Sequence, residues 1–238
     1  MASSPPAQGK PTSSPLPGLL ILLSATTGLV DAVSVLGLGK VFTANMTGNI
    51  VFLGFALAQT PGFSIATTLV ALLTFSVGAF IGGRTGQTYG SQPLRHWLTI
   101  AATIEAALLW LAALVSFFFD PTGLGPQWAL LTVIALTAIA MGFRNATIRQ
   151  LKVPDLTTTV LTLTITGIAA DSRLAGGSAP NLARRIAAVA AILVGAAIGA
   201  ILVTQIGLAL PLGLAGLLVL GGTIACVRHP ATLAPHGA

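Results

Sequence analysis

Eight apolar segments fill most of this sequence: Gly18 to Leu38, Val41 to Ala58, Ser64 to Gly83, Trp97 to Phe119, Gln127 to Phe143, Leu156 to Ala170, Ile186 to Thr204 and Leu210 to Val227. Stretches of about 20 apolar residues are long enough to cross the hydrocarbon core of a bilayer. Charged residues make up only 7% of the chain, against about 25% in an ordinary soluble domain. That is too little charge to cover a soluble surface, so the chain reads as a polytopic membrane protein.

The segments are organised as a duplication. Gly28-Leu29-Val30-Asp31-Ala32 followed by Phe42-Thr43-Ala44-Asn45-Met46-Thr47 is echoed 114 positions later by Gly142-Phe143-Arg144-Asn145-Ala146 followed by Leu156-Thr157-Thr158-Thr159-Val160-Leu161. Downstream, Val77-Gly78-Ala79-Phe80-Ile81-Gly82 returns as Val194-Gly195-Ala196-Ala197-Ile198-Gly199 at an offset of 117. Duplicated halves in a very apolar chain are a common plan of transporters, with the polar pathway between the halves. Gly78 with Gly82, and Gly195 with Gly199, place small residues on one helix face, where their expected role is close helix packing.

Segments two and six differ from the others by their polar content, and they hold equivalent places in the two halves. Charge decides whether they cross. With eight crossings and the N-terminus inside, five basic residues fall inside and six outside, against the positive-inside rule. If segments two and six enter and leave on one side, ten basic residues become cytoplasmic and only Lys40 is outside. A seven-span arrangement with the N-terminus outside, in which segment two crosses and segment six does not, scores equally but breaks the repeat. Six spans, three per half, make the halves inverted. Re-entrant backbone at membrane depth is tolerated where protein or a watery cavity surrounds it, so segments two and six are expected to line an interior pathway.

The candidate pathway residues follow from this. Asp31 lies inside the first span, where a carboxylate costs a few kcal/mol and normally faces a partner or a cavity. Its counterpart is Asn145, which keeps the size but not the charge. Asn45, Thr47, Gly48 and Asn49 form the densest polar cluster within the apolar part of the chain. Their hydroxyls and amides can both donate and accept hydrogen bonds, and Gly48 permits close backbone approach. Thr157, Thr158 and Thr159 supply hydroxyls from the second half. Glu105, near the middle of the fourth span, serves either as a proton carrier or as a carboxyl satisfied by a neighbouring helix. Arg144 reads as an orientation-fixing residue at the end of span five, for which Glu105 is an easier partner than Asp31. Trp97 and Trp128 are expected as interfacial anchors.

Other classes find less support. The eleven basic residues lie in short segments between spans, without the basic and aromatic patch of a nucleic-acid binder. Cys226 is the only cysteine and the three histidines lack ligand spacing, so neither metal nor cofactor is expected. No phosphate loop, GxSxG elbow or HExxH helix suggests an enzyme. A cleaved signal peptide is not expected, because Lys10 is separated from the first apolar run by Pro and Ser residues and that run is of full spanning length.

The stretch Gly28 to Asn49, with its Asp-Ala pair and Phe-Thr-Ala-Asn-Met-Thr-Gly-Asn run, resembles the YoaK-like family of bacterial integral membrane proteins, a domain-of-unknown-function family. Gly142 to Ala146 and the following Thr-rich run, ending in Thr166-Gly167, are similar to that family's second half. The resemblance spans roughly residues 18 to 227 and implies a bacterial inner-membrane location.

The expected architecture is all-α: two inverted repeats, six spanning helices and two polar, broken or re-entrant segments. One transmembrane domain covers residues 18–227, with repeat one at 18–119 and repeat two at 127–227. A disordered N-terminal tail (1–17) and a C-terminal tail (228–238) flank it, both termini being cytoplasmic. The expected function is a transporter or facilitator of a small polar solute, with proton coupling as an option. A static channel and a non-transporting scaffold or regulatory partner are the alternatives. Expected partners are the lipid bilayer and that solute, with a homo-oligomer left open and nucleic acid excluded.

Overall fold

Helices form wherever the sequence is continuously apolar, and prolines stand at several of their starts. Pro15, Pro93 and Pro126 flank helix N-termini, where a missing N–H removes no hydrogen bond. The computed structural model describes residues 14–90, 92–153 and 161–232. In chain order the helices are α1 (Leu16–Gly37), α2 (Met46–Leu57), α3 (Ile65–Tyr89), α4 (Leu94–Ser116), α5 (Gln127–Leu151), α6 (Leu161–Ala170), α7 (Leu182–Gln205) and α8 (Ala209–Val227). Six of them, α1, α3, α4, α5, α7 and α8, are long and apolar enough to span a membrane.

The seven-span alternative is overturned by segment two. Its helix α2 has 12 residues, about 18 Å at 1.5 Å per residue, against a hydrocarbon core of about 30 Å. Its two ends also meet. Lys40, before α2, lies with its Nζ 5.5 Å from the ring centroid of Phe63, after α2. Phe42 stacks on Phe52 at 5.6 Å, and Phe52 lies 5.0 Å from Phe63. Segment two is therefore a hairpin of an extended limb and a short helix that enters and leaves at one end of the bundle.

Several helices run past the apolar windows of the sequence. α3 continues to Tyr89 through Arg84, α4 begins at Leu94 with Arg95 and His96, and α5 continues to Leu151 through Arg144 and Arg149. Turns that project into the headgroup layer carry basic side chains without leaving the helix. Trp97 is a correction of another kind. It is 1% exposed and belongs to the core, whereas Trp128 is 55% exposed as an anchor would be.

The spans pack as a row, α7–α1–α8–α4–α5–α3, folded so that α5 also reaches α1. Direction can be read from the contacts. Gly195 lies on Ala25 and Gly199 on Leu29, so α7 runs parallel to α1; Gly78 lies on Ile139 and Gly82 on Phe143, so α3 runs parallel to α5. Gly37 meets Leu208 and Gly222 meets Leu22, so α8 opposes α1, and Gly39 meets Leu124, which sets α5 against α1 as well. The contacts of the two helix pairs correspond by the same offsets as the sequence repeat. Gly28 sits against Ile192 and Ala196, and Gly142 against Phe75 and Ala79.

In each case a Cβ would strike the facing backbone. Small residues thus act here as the packing seam expected of them. Across the centre, Trp110 Nε1 of α4 donates to the Gly213 carbonyl of α8 at 3.2 Å. The α4–α5 loop closes on itself through Asp120. Its carboxyl accepts from Thr122 and Gly123, which holds it below the usual carboxylate range.

Candidate functional site

Where the two halves face each other, a cavity of about 670 Å³ opens. α1 contributes Thr27 and Asp31, the hairpin contributes Phe42 and the stretch Ala44 to Gly48, α5 contributes Asn145, and segment six contributes Leu161 and Thr162. Five of the expected residues are thereby brought together: Asp31, Asn45, Thr47, Gly48 and Asn145. Thr157, Thr158 and Thr159 lie outside the described residues. Thr162, from the same Thr-rich run, is on the wall.

The hairpin explains how the polar cluster reaches the cavity. Asn45 stands at the N-cap of α2 with a non-helical backbone, and Met46, Thr47 and Gly48 form its first turn, so that the start of the helix faces the space. The Asn45 side chain makes no capping hydrogen bond. Asn49, by contrast, has a structural role and does not line the cavity. It is fully buried; Phe42 N–H donates to its Oδ1 at 3.0 Å and its Nδ2 donates to the Phe42 carbonyl at 2.6 Å. One amide side chain thus staples the extended limb to the helix. Gly48 is packed under the same Phe42 ring.

Asp31 has one carboxylate oxygen buried without a hydrogen-bond partner among the described residues. The backbone amide of Ala44 is directed at its carboxyl. Asn145 donates through Nδ2 to the Met141 carbonyl at 2.9 Å. Depth separates the two. Asp31 is six residues from the end of α1 and Asn145 six from the end of α5, each about 9 Å along its axis. Because α1 and α5 run in opposite directions, the cavity's wall includes residues toward opposite ends of the bundle.

A second cavity of about 750 Å³ shares Phe75 and Asn145 with the first and continues past Ala79 and Gly83 to Arg149 and Lys152. The two cavities thus adjoin at Phe75 and Asn145, and the second reaches the end of the bundle where α5 finishes.

Glu105 stands apart from these two cavities. It is 4% exposed and forms an ion pair with Arg144, which is 1% exposed. Arg144 also donates to the Leu23 carbonyl at 3.1 Å and to Thr27 Oγ1 at 3.0 Å. The carboxyl is thus satisfied by a neighbouring helix, and Arg144, expected at the span end, is an internal tie among α1, α4 and α5. The pair was foreshadowed by the expected inverted arrangement, which puts Arg144 and Asp31 on opposite sides of the midplane. The involvement of Thr27, which also lines the cavity, had no signal in the sequence, because it depends on which helices are neighbours.

Six apolar spans, two short helices and an interior polar space define a multi-pass α-helical membrane protein. The chain belongs to the family described as a protein of unknown function (DUF1275), whose pattern it matches over residues 19–225. It is 35% identical over 159 residues to the UPF0700 transmembrane protein YoaK of Bacillus subtilis (strain 168), an alignment that covers 64% of this chain and 65% of that protein. No solved structure matches it.

Proposed function

We propose that this protein is a secondary transporter or facilitator of a small polar solute in the bacterial inner membrane, built from two inverted repeats. The observation that carries the reading is the cavity itself. It gathers polar groups from corresponding positions of the two halves, Asp31 with Asn145, at the depth where such proteins bind their solutes.

Three further features support it. Helices at corresponding places, α1 and α5, α3 and α7, α4 and α8, run in opposite directions, and their glycine contacts repeat at the sequence offsets. Arg84, Arg95, Arg149, Lys152, Arg173, Arg184, Arg185 and Arg228 belong to one end of the bundle and Lys40 to the other, which makes the basic end cytoplasmic by the positive-inside rule. The second cavity leads from Asn145 to that end. In this orientation both chain termini are cytoplasmic.

Reconstitution into liposomes tests the reading. A panel of small polar solutes is offered, and uptake of at least one is expected to saturate and to be accelerated by the same solute preloaded on the other side. Flux that never saturates would identify a channel instead. A protein that passes none of the panel would fit a scaffold.

A further inference from the structure

We propose that the cavity takes a solute bearing an organic ammonium group, held by Asp31 against aromatic walls. The inference deepens the transport reading and rests on the same cavity.

Among the described residues, three ionisable side chains lie deep within the spans: Asp31, Glu105 and Arg144. Arg144 is paired directly with Glu105 and acts on Asp31 through space only. Asp31 is left with a buried oxygen that no described group satisfies. A buried charge without a directly bonded counter-ion is costly in a membrane, and the surroundings, with Arg144 already committed to Glu105, offer only partial compensation. The Ala44 amide is one donor, and the start of α2 carries the equivalent of about half a positive charge. A cation is what completes the site.

The wall decides which cation. A proton or a bare metal ion needs no space of about 670 Å³; a metal ion would also need several converging oxygen ligands. Here the wall carries three phenylalanine rings, Phe42 and Phe52 from the hairpin and Phe75 from α3. Ring faces attract alkylammonium ions, which are weakly hydrated and can exchange water for π contact. Asn45 and Thr47 remain available for a further polar group on the solute. The charge is also one-sided, because Asn145 occupies the place of Asp31 in the other half. One ammonium group per chain is therefore accommodated, nearer α1.

Binding to the purified full chain in nanodiscs tests the assignment by titration calorimetry. Tetramethylammonium is compared with uncharged tert-butanol of similar size and with potassium ion. Saturable binding of tetramethylammonium is expected, at least about tenfold tighter than either comparator, a tenfold ratio being one step of charge-assisted recognition. Asp31→Asn should weaken it by about tenfold or more and Phe75→Leu by several-fold, in the range of single cation–π contacts. Equal binding of tert-butanol, binding of potassium alone, or an unchanged affinity in folded Asp31→Asn would each overturn the proposal.

The comparison of the three probes needs no variant, so misfolding of Asp31→Asn leaves it decisive. The liposome panel separates the two readings. Saturable flux of uncharged solutes without ammonium binding removes this inference and leaves transport standing. Ammonium binding without flux of any solute does the reverse.

Discussion

Glu105 and Asp31 are both carboxylates within spans, and their surroundings give them opposite tasks. Glu105 neutralises Arg144 in a buried interface beside a cavity of only about 20 Å³, whereas Asp31 borders one of about 670 Å³. Removing one partner of a buried pair leaves the other charge uncompensated and costs about 3–5 kcal/mol, while replacing both by apolar groups is often neutral. Glu105→Gln is therefore expected to lower thermal stability in detergent strongly, and Glu105→Leu combined with Arg144→Met to be less destabilised than that single variant. A single variant as stable as the parent would show that the pair holds nothing together. The sequence showed both acids within spans and favoured Glu105 over Asp31 as the partner of Arg144, but the Thr27 and Leu23 contacts of Arg144 exist only in three dimensions. Asn49 is a similar case. Its type placed it with Asn45 and Thr47, and only the geometry of the hairpin shows it bonded to the Phe42 backbone.

Among the elements, the six spans and the re-entrant nature of segment two were legible, because hydropathy and charge placement record the bilayer directly. Helix ends were less so. Apolar windows end where lipid ends, but α3, α4 and α5 extend into the headgroup region on basic residues. The parallel pairs α1–α7 and α3–α5 rest on glycines that bring backbones into contact, and their equivalence makes a paired prediction. Gly78→Ala and Gly195→Ala each push a Cβ into a facing carbonyl, of Ile139 or Ala25. Overpacking of this kind costs about 1–3 kcal/mol, and the two variants should lose stability to a similar degree. Gly83→Ala and Gly213→Ala, where nothing lies within 4 Å of the added carbon, serve as controls and should melt like the parent. Loss in only one of the first two would mean that the seams are not equivalent.

For the molecule as a whole, the proposed transport requires that the two halves, with their matching glycine seams, exchange roles. The second cavity reaches the basic end beside Arg149 and Lys152. At the other end, the hairpin is stacked on itself through Phe42, Phe52 and Phe63. If one half adopts the packing of the other, the interior opens beside the hairpin and closes beside α5, which is alternating access. Single cysteines report both sides once Cys226, the native and buried one, is replaced by alanine. A cysteine at Ala146 samples the cavity near the basic end, and one at Thr47 samples the hairpin. Addition of a transported solute should change their labelling rates in opposite directions, because opening one side closes the other. A static channel keeps both positions accessible together, and a bound solute would then shield the two in parallel. Opposed changes at Ala146 and Thr47 would mark a transporter, and parallel changes would reassign the same cavity to a pore.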